Sequence, residues 1–440
     1  MKKVLVVGSG VGGSVIANEL QGDYQVTILE EGNDFKPFKI NLNLLETIKK
    51  TGLFYDENMI KLLFKAIKLN KINFQSGLED LPLSNNELLL ISGSGLGGSS
   101  TLSTGSGIRA DSGLKKLGIN LNDEFNEIMQ SIDISIGHRE IWNKRTKQLF
   151  QITKKLGLSP YVTPKMGRYD KCKACGHCIL GCQHQVKWDI REVLNSALNK
   201  GAFLIKNAKV DKLVIKQNSV VGLYVKHKYR KRFMTADIIV LSAGGIGTPL
   251  ILNKSNIEYN GNLFVDPVLC VAGVMEKATQ NKEIPMPFII EKEGYIISPY
   301  FDYLSFFFNK KWKYKSSNIL SLMIKLADQG TGSISNYKIY KTFNDKDREK
   351  IRESINLCYN IFAELGIKKK DTFFGNFNAG HPGGLVPLTK NSVVSFKPDN
   401  FPSNLYISDS SLLPEAAGKP LILTIMALEK KVSKKIKEAF

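Results

Sequence analysis

The chain has 440 residues, 43% of them hydrophobic and 23% charged, with a formal charge of +20 at pH 7. This exceeds the roughly 250–300 residues at which one core stops growing, so two lobes are expected, and no apolar run approaches the roughly 18–20 residues of a membrane span. The lysines are spread through nearly every segment without a helix-turn-helix, zinc-finger or RNA-binding signature, so the charge reads as a solvated surface and nucleic acid is not an expected partner.

In chain order, the opening apolar run ends at Gly8, too short for a signal peptide, so a cytoplasmic location is expected. Residues 4–7 read as a buried strand that enters the turn GSGVGG at 8–13, and residues 14–20 have helical spacing. That order suits a dinucleotide site: Gly8 for the tight turn, Gly10 for backbone approach to a pyrophosphate, Gly13 for close helix packing. A second strand, residues 25–29, ends in Glu30, where an acid accepts from ribose hydroxyls. A second glycine run, GSGLGGSS at 93–100, lacks the following strand and acid. Gly97, Gly98, Ser99 and Ser100 suit a loop lying along a phosphate or a flavin ring, against the alternative of a flexible surface loop.

Further on, Cys172, Cys175, Cys178 and Cys182 have the spacing C-x2-C-x2-C-x3-C, by which ferredoxin-type chains hold [4Fe–4S] clusters, although the usual following proline is Gln183. Zinc is the alternative, with His177 or His184 as substitute ligands, and free thiols or disulfides are a third. Residues 203–240 alternate like an antiparallel meander returning to the main sheet, and 256–375 are expected to form the substrate lobe. Within it, YFDYLSFFFNKKWKYK at 300–315 reads as core strands with charged edges, a hydrophobic lid or a peripheral membrane contact. Residues 344–366 read as a capped helix, with Cys358 as core packing.

VVGSGVGGSVIANEL, ILEEG at 28–32, GLGGSSTLSTG at 95–105, IIVLSAGGIGTPLIL at 238–252 and NLYISDSSLLPEAAGKPLILTIMALEKK at 404–431 follow one another as in glucose–methanol–choline (GMC) oxidoreductases, which the chain resembles over about half its length. The resemblance implies an α/β (α+β overall) fold, with a Rossmann-type FAD-binding domain at 1–110, 195–255 and 376–440. An interleaved antiparallel-sheet substrate domain at 256–375 and a connecting region at 111–194 complete it. It also implies FAD, with Gly8, Gly10, Gly13 and Glu30 on its ADP half, Gly97 to Ser100 near pyrophosphate and ring, Val210 by the adenine and Asp409 at the ribityl end. A family histidine takes the alcohol proton, and the matching segment is NAGHPGG at 378–384. His381 is thus the expected base, or else a loop histidine capping a turn. The family's second polar residue is missing before LTIMAL, and Lys419 or Asn378 is the candidate replacement.

These readings converge on an FAD-dependent CH–OH dehydrogenase. It would take a small-molecule substrate, a hydrophobic one among the options, and pass electrons through the cluster to an external carrier, ferredoxin-like or acidic. A ferredoxin-linked reductase of a C=C or C=O bond, and a noncatalytic electron-transfer or docking subunit, are the alternatives.

Overall fold

The computed structural model describes residues 1–39, 41–51, 67–73 and 87–440. Strands Leu405–Ile407, Ile238–Leu241, Lys3–Val7, Gln25–Leu29 and Phe203–Ile205 lie side by side in that order, all parallel. The central ones are short Val/Ile/Leu runs buried on both faces, as a covered parallel sheet requires. Helix Val11–Leu20 covers one face, with helices Ile422–Ala439 and Arg191–Asn199 packed against it.

The expected meander is present. Strands Ala208–Lys216, Ser219–His227 and Arg230–Met234 pair antiparallel, entered from Phe203–Ile205 and leaving into Ile238–Leu241, both of which belong to the parallel sheet. A larger sheet runs Ile67–Asn73, Glu87–Gly93, Asn378–Ala379, Pro267–Val274, Ile319–Leu326, Tyr295–Pro299, Phe288–Lys292 and Tyr161–Val162, with Thr372–Phe374 also on Pro267–Val274. Its pairing is antiparallel except that Asn378–Ala379 runs parallel to Glu87–Gly93. Helix Asp345–Ala363 packs on this sheet, opened by a capping box between Asn344 and Asp347, and Cys358 is buried in its apolar face.

Two findings depart from expectation. The two lobes share one continuous core, because the chain crosses between the sheets repeatedly and the strands feeding the second glycine loop and His381 belong to the larger sheet. The 300–315 stretch forms a short helix, Tyr303–Phe308, where strands were favoured. Asp302 caps it, its carboxylate accepting from the Ser305 N–H, and Phe301, Tyr303, Phe306, Phe307 and Trp312 are buried in a separate aromatic cluster. Those rings are core, whereas Tyr314 of the same stretch is exposed. Among the described residues no helix is long and apolar enough to cross a membrane.

Candidate active site

The carboxyl ends of the parallel strands form one rim, where ligands of open α/β sheets bind. Gly8 follows strand Lys3–Val7 in the left-handed region, φ 106°, and a Cβ there would sit 2.3 Å from the Ser242 carbonyl oxygen. A Cβ on Gly13 would meet the Gly8 carbonyl at 2.0 Å, so the helix start rests directly on the strand end. Gly10 differs, because nothing lies within 4 Å of the place its Cβ would occupy. A Cβ on Gly12 would sit 1.8 Å from the Ser408 carbonyl oxygen, so the first glycine turn has three glycines demanded by packing and one facing free space.

Glu30 ends the neighbouring strand and is 7% exposed. One carboxylate oxygen accepts from the Ser9 N–H at 3.0 Å and the Ser9 hydroxyl at 2.6 Å, and the other from the Gly32 N–H at 2.7 Å. It thus braces the glycine turn. The Ala208 N–H donates to the Glu30 carbonyl at 2.8 Å, which brings the first meander strand, carrying buried Val210, beside the acid.

The second glycine loop folds back on the first. The Leu96 N–H donates to the Asn33 carbonyl, and a Cβ on Gly98 would sit 3.2 Å from Gly10 Cα. Gly97 adopts φ 87° ahead of the 3-10 helix Gly98–Leu102, whose Ser99 hydroxyl accepts from the Gly93 N–H at 3.0 Å. Ser100, buried, donates to the Gly97 carbonyl. Across the rim Asp409 accepts from the Gly244 N–H at 2.9 Å, the Thr248 hydroxyl at 2.6 Å and the Ser411 N–H at 2.9 Å, tying the C-terminal segment to the start of helix Gly244–Lys254. Burial raises the Asp409 carboxyl above the usual range, opposed by those hydrogen bonds. The buried hydroxyl of Ser242, which follows strand Ile238–Leu241, has no partner among the described residues. Free space before Gly10, a braced acid and an orphaned hydroxyl fit a dinucleotide.

His381 reaches the same place by another route. Asn378 and Ala379 pair in parallel register with Leu89 and Leu90, so the strand leading to the second glycine loop and the one leading to His381 emerge side by side. The next residue, Pro382, is fastened to the C-terminal segment by the Ser410 hydroxyl, 2.6 Å from its carbonyl. The imidazole is 32% exposed, with Nδ1 3.5 Å from Oδ2 of fully buried Asp266. Burial lowers its pKa, and the nearby Lys325 ammonium adds to this, while Asp266 and the Lys419 backbone act the other way.

The two candidate replacements for the missing polar residue are engaged elsewhere. The Lys419 ammonium is ion-paired with Glu291 at 2.5 Å, and the residue bears on His381 through its backbone. The Asn378 amide donates to the Asn376 carbonyl at 3.0 Å. Asp266 and Lys325 had no signal in the sequence, being one acid before a proline and one lysine in an apolar strand.

All six cysteines are free. Cys172, Cys175, Cys178 and Cys182 line one cavity together with Tyr169, His184, Lys187 and Ile284. The Ala174 and Val186 N–H groups donate to the Cys172 and Cys182 sulfurs, both at 3.4 Å, and Ala174 takes a left-handed turn at φ 47°. Burial pushes the Cys178 thiol up to about 12, with Lys187 and Lys165 opposing. Lys187 is buried and donates to the carbonyls of Ser100, Thr101 and Ser103 at 3.3, 2.8 and 3.1 Å, joining this cavity to the second glycine loop. Lys165, equally buried, donates to the Thr104 and Pro285 carbonyls and the Ser106 hydroxyl; burial lowers it to about 7 while the Cys178 and Cys172 thiols favour its charge. Among the described residues no three His, Cys, Asp or Glu groups gather so as to hold a metal ion, so the metal site read from the cysteine spacing is not formed in this arrangement. A tetrahedral zinc would need its sulfurs about 2.3 Å from one point.

The family model for GMC oxidoreductases matches residues 2–268, more than half the chain. The chain belongs to the GMC oxidoreductase family. It is a flavin-dependent oxidoreductase of that type. An uncharacterized protein of Methanocaldococcus jannaschii, MJ1450, is 26% identical over 437 residues, covering 98% of both chains. Two long-chain-alcohol oxidases of Arabidopsis thaliana are also similar: FAO4B, 26% identical over 61% of this chain and 36% of its own length, and FAO1, 21% identical over 99% and 66%. This GMC protein spans only those fractions of the plant enzymes. Among solved structures, pyridoxine 4-oxidase from Mesorbium loti superposes with a TM-score of 0.74 at 13% identity, covering 100% of this chain and 99% of that one, and shares the fold.

Proposed function

We propose that this GMC oxidoreductase dehydrogenates a primary or secondary alcohol with His381 as the base, and passes the electrons through an iron–sulfur cluster at Cys172, Cys175, Cys178 and Cys182 to an external carrier. The observation that carries the reading is the parallel register of Asn378–Ala379 with Glu87–Gly93, which delivers His381 and the second glycine loop to one spot. FAD, held by Gly10, Glu30, Gly97 to Ser100 and the Asp409 segment, would supply the hydride acceptor. His381 then takes the hydroxyl proton at its ring nitrogen, a role favoured by the lowered pKa that keeps it neutral near pH 7. The names of the plant relatives, long-chain-alcohol oxidases, support an alcohol substrate with an apolar body.

An iron–sulfur cluster would supply one-electron transfer out of the site. Four thiols on one cavity, two backbone N–H groups aimed at their sulfurs and the bridge from Lys187 to the glycine loop support this reading. Buried ammonium groups without a carboxylate are costly, and Lys165 and Lys187 have none in ion-pair range among the described residues. An anionic metal–thiolate group beside them would offset that cost.

Anaerobically purified protein is expected to show flavin bands over a broad shoulder bleached by dithionite, with iron in the protein. Stoichiometric zinc without iron overturns the cluster. Stopped-flow mixing with a panel of alcohols is expected to bleach the flavin, and His381→Ala to slow this by roughly 10²–10⁴-fold. Bleaching by reduced ferredoxin and by no alcohol overturns the dehydrogenase direction.

A further inference from the structure

Behind His381 lies a set of buried charges. Asp266 is fully buried with a left-handed backbone, φ 51°. One of its carboxylate oxygens accepts from the Gly418 N–H at 3.0 Å, and the other lies 3.3 Å from the Lys325 ammonium and 3.5 Å from His381 Nδ1. Lys325, 3% exposed in a strand whose eight residues are all buried, also donates to the Asp266 carbonyl at 3.1 Å. Asp328 holds the Asp266 backbone by accepting its N–H at 2.7 Å, and is itself paired with buried Lys341 at 2.6 Å. Lys419, whose backbone bears on the ring, has its ammonium paired with Glu291.

We infer that Asp266 and Lys325 are positioning residues that set the tautomer and the proton affinity of His381. The inference rests on the reading of His381 as the base. Among the described residues His381 Nδ1 has no hydrogen-bond partner, the Asp266 oxygen facing it is shared only with the Lys325 ammonium, and a closure of a few tenths of an ångström makes one Nδ1–H···Oδ2 bond. That bond places the ring proton on Nδ1 and leaves Nε2 as the acceptor for a substrate hydroxyl. The proton affinity follows from a charge balance. Lys325 and Lys341 offset Asp266 and Asp328, so an imidazolium adds a positive charge to a buried set already neutral. Lys325 thereby does more than steady Asp266: it occupies the carboxylate that would otherwise hold His381 protonated.

The two residues therefore act in opposite directions. Lys325→Met leaves Asp266 to the imidazole alone, so His381 keeps its proton to higher pH, by about one unit or more. Asp266→Asn leaves Lys325 facing the ring without its carboxylate, so the proton is lost at lower pH. The experiment is an NMR titration of the histidine ring signals in FAD-loaded protein without substrate, His381 being assigned by its absence in His381→Ala. Opposite shifts are expected, upward for Lys325→Met and downward for Asp266→Asn. Unchanged titration, or a shift of both in one direction, overturns the pair. If Asp266→Asn does not fold, Lys325→Met decides alone, and no upward shift in it overturns the inference. The acid limb of flavin reduction in Lys325→Met is expected to move to higher pH with the ring. A shifted titration with an unmoved limb leaves the pair standing and removes the base role.

Discussion

The first glycine turn separates two uses of glycine that a sequence motif merges, and alanine substitution pulls them apart. At Gly13 an added Cβ meets the Gly8 carbonyl oxygen at 2.0 Å, about 1 Å inside the closest approach such atoms make. Helix Val11–Leu20 must move away from strand Lys3–Val7 by that distance, in a region packed on both faces. Overpacking of this kind costs about 3 kcal/mol, the upper end of the usual range. With an unfolding entropy of about 2.1 cal/mol/K per residue, a chain of 440 residues loses about 1 °C per kcal/mol, so Gly13→Ala should melt about 3 °C lower without FAD. At Gly10 the added Cβ meets nothing within 4 Å, so Gly10→Ala should melt like the wild type without FAD. On the proposed reading the methyl group enters the space that the FAD pyrophosphate would take, and retention of FAD through gel filtration should fall sharply. Differential scanning fluorimetry with and without FAD, together with flavin absorbance after filtration, checks both. A Gly10→Ala protein that keeps stoichiometric FAD, or a Gly13→Ala protein that melts unchanged, refutes the reasoning.

Glu30→Gln turns an amide toward the Ser9 and Gly32 donors, leaving one buried donor without an acceptor. Stability without FAD should fall by about 1–3 kcal/mol, read from the urea midpoint, and FAD retention should weaken too. His138 is buried with Trp142 donating to its Nδ1 and the Thr163 carbonyl at Nε2, and burial lowers it from 6.5 to about 4. The unfolded chain binds a proton there below pH 6.5 while the folded one does not, so stability should drop by roughly 3 kcal/mol as pH falls from 6.5 to 4 and then level off. In His138→Gln that component should vanish from urea melts at pH 7 and pH 4.5. Cys175→Ser should still bleach its flavin with alcohol in a single turnover yet fail to pass electrons to a carrier. Normal multiple turnover with the carrier would leave the cysteine cavity without a part in electron exit.

The amino-acid sequence alone determined the elements whose chemistry is local. A strand, a glycine turn and a helix in succession place Gly8, Gly10 and Gly13, and an acid closing the next strand places Glu30, because each of these positions is dictated by neighbours within about twenty residues. The capped helix at 344–366 was legible for the same reason. What tertiary structure decided was the company each charge keeps. Lys165, Lys187 and Lys325 resemble every other lysine along the chain, and only packing shows them buried, two beside the thiols and one behind His381. Lys419 was a reasonable stand-in for the family's missing polar residue until the fold turned its ammonium toward Glu291. The aromatic run at 300–315 was ambiguous because periodicity over so few residues does not separate a buried helix from a strand, and the Asp302 cap and the surrounding rings settled it. Burial and ion pairing join residues tens to hundreds of positions apart, and nothing in a local window records which of them will meet.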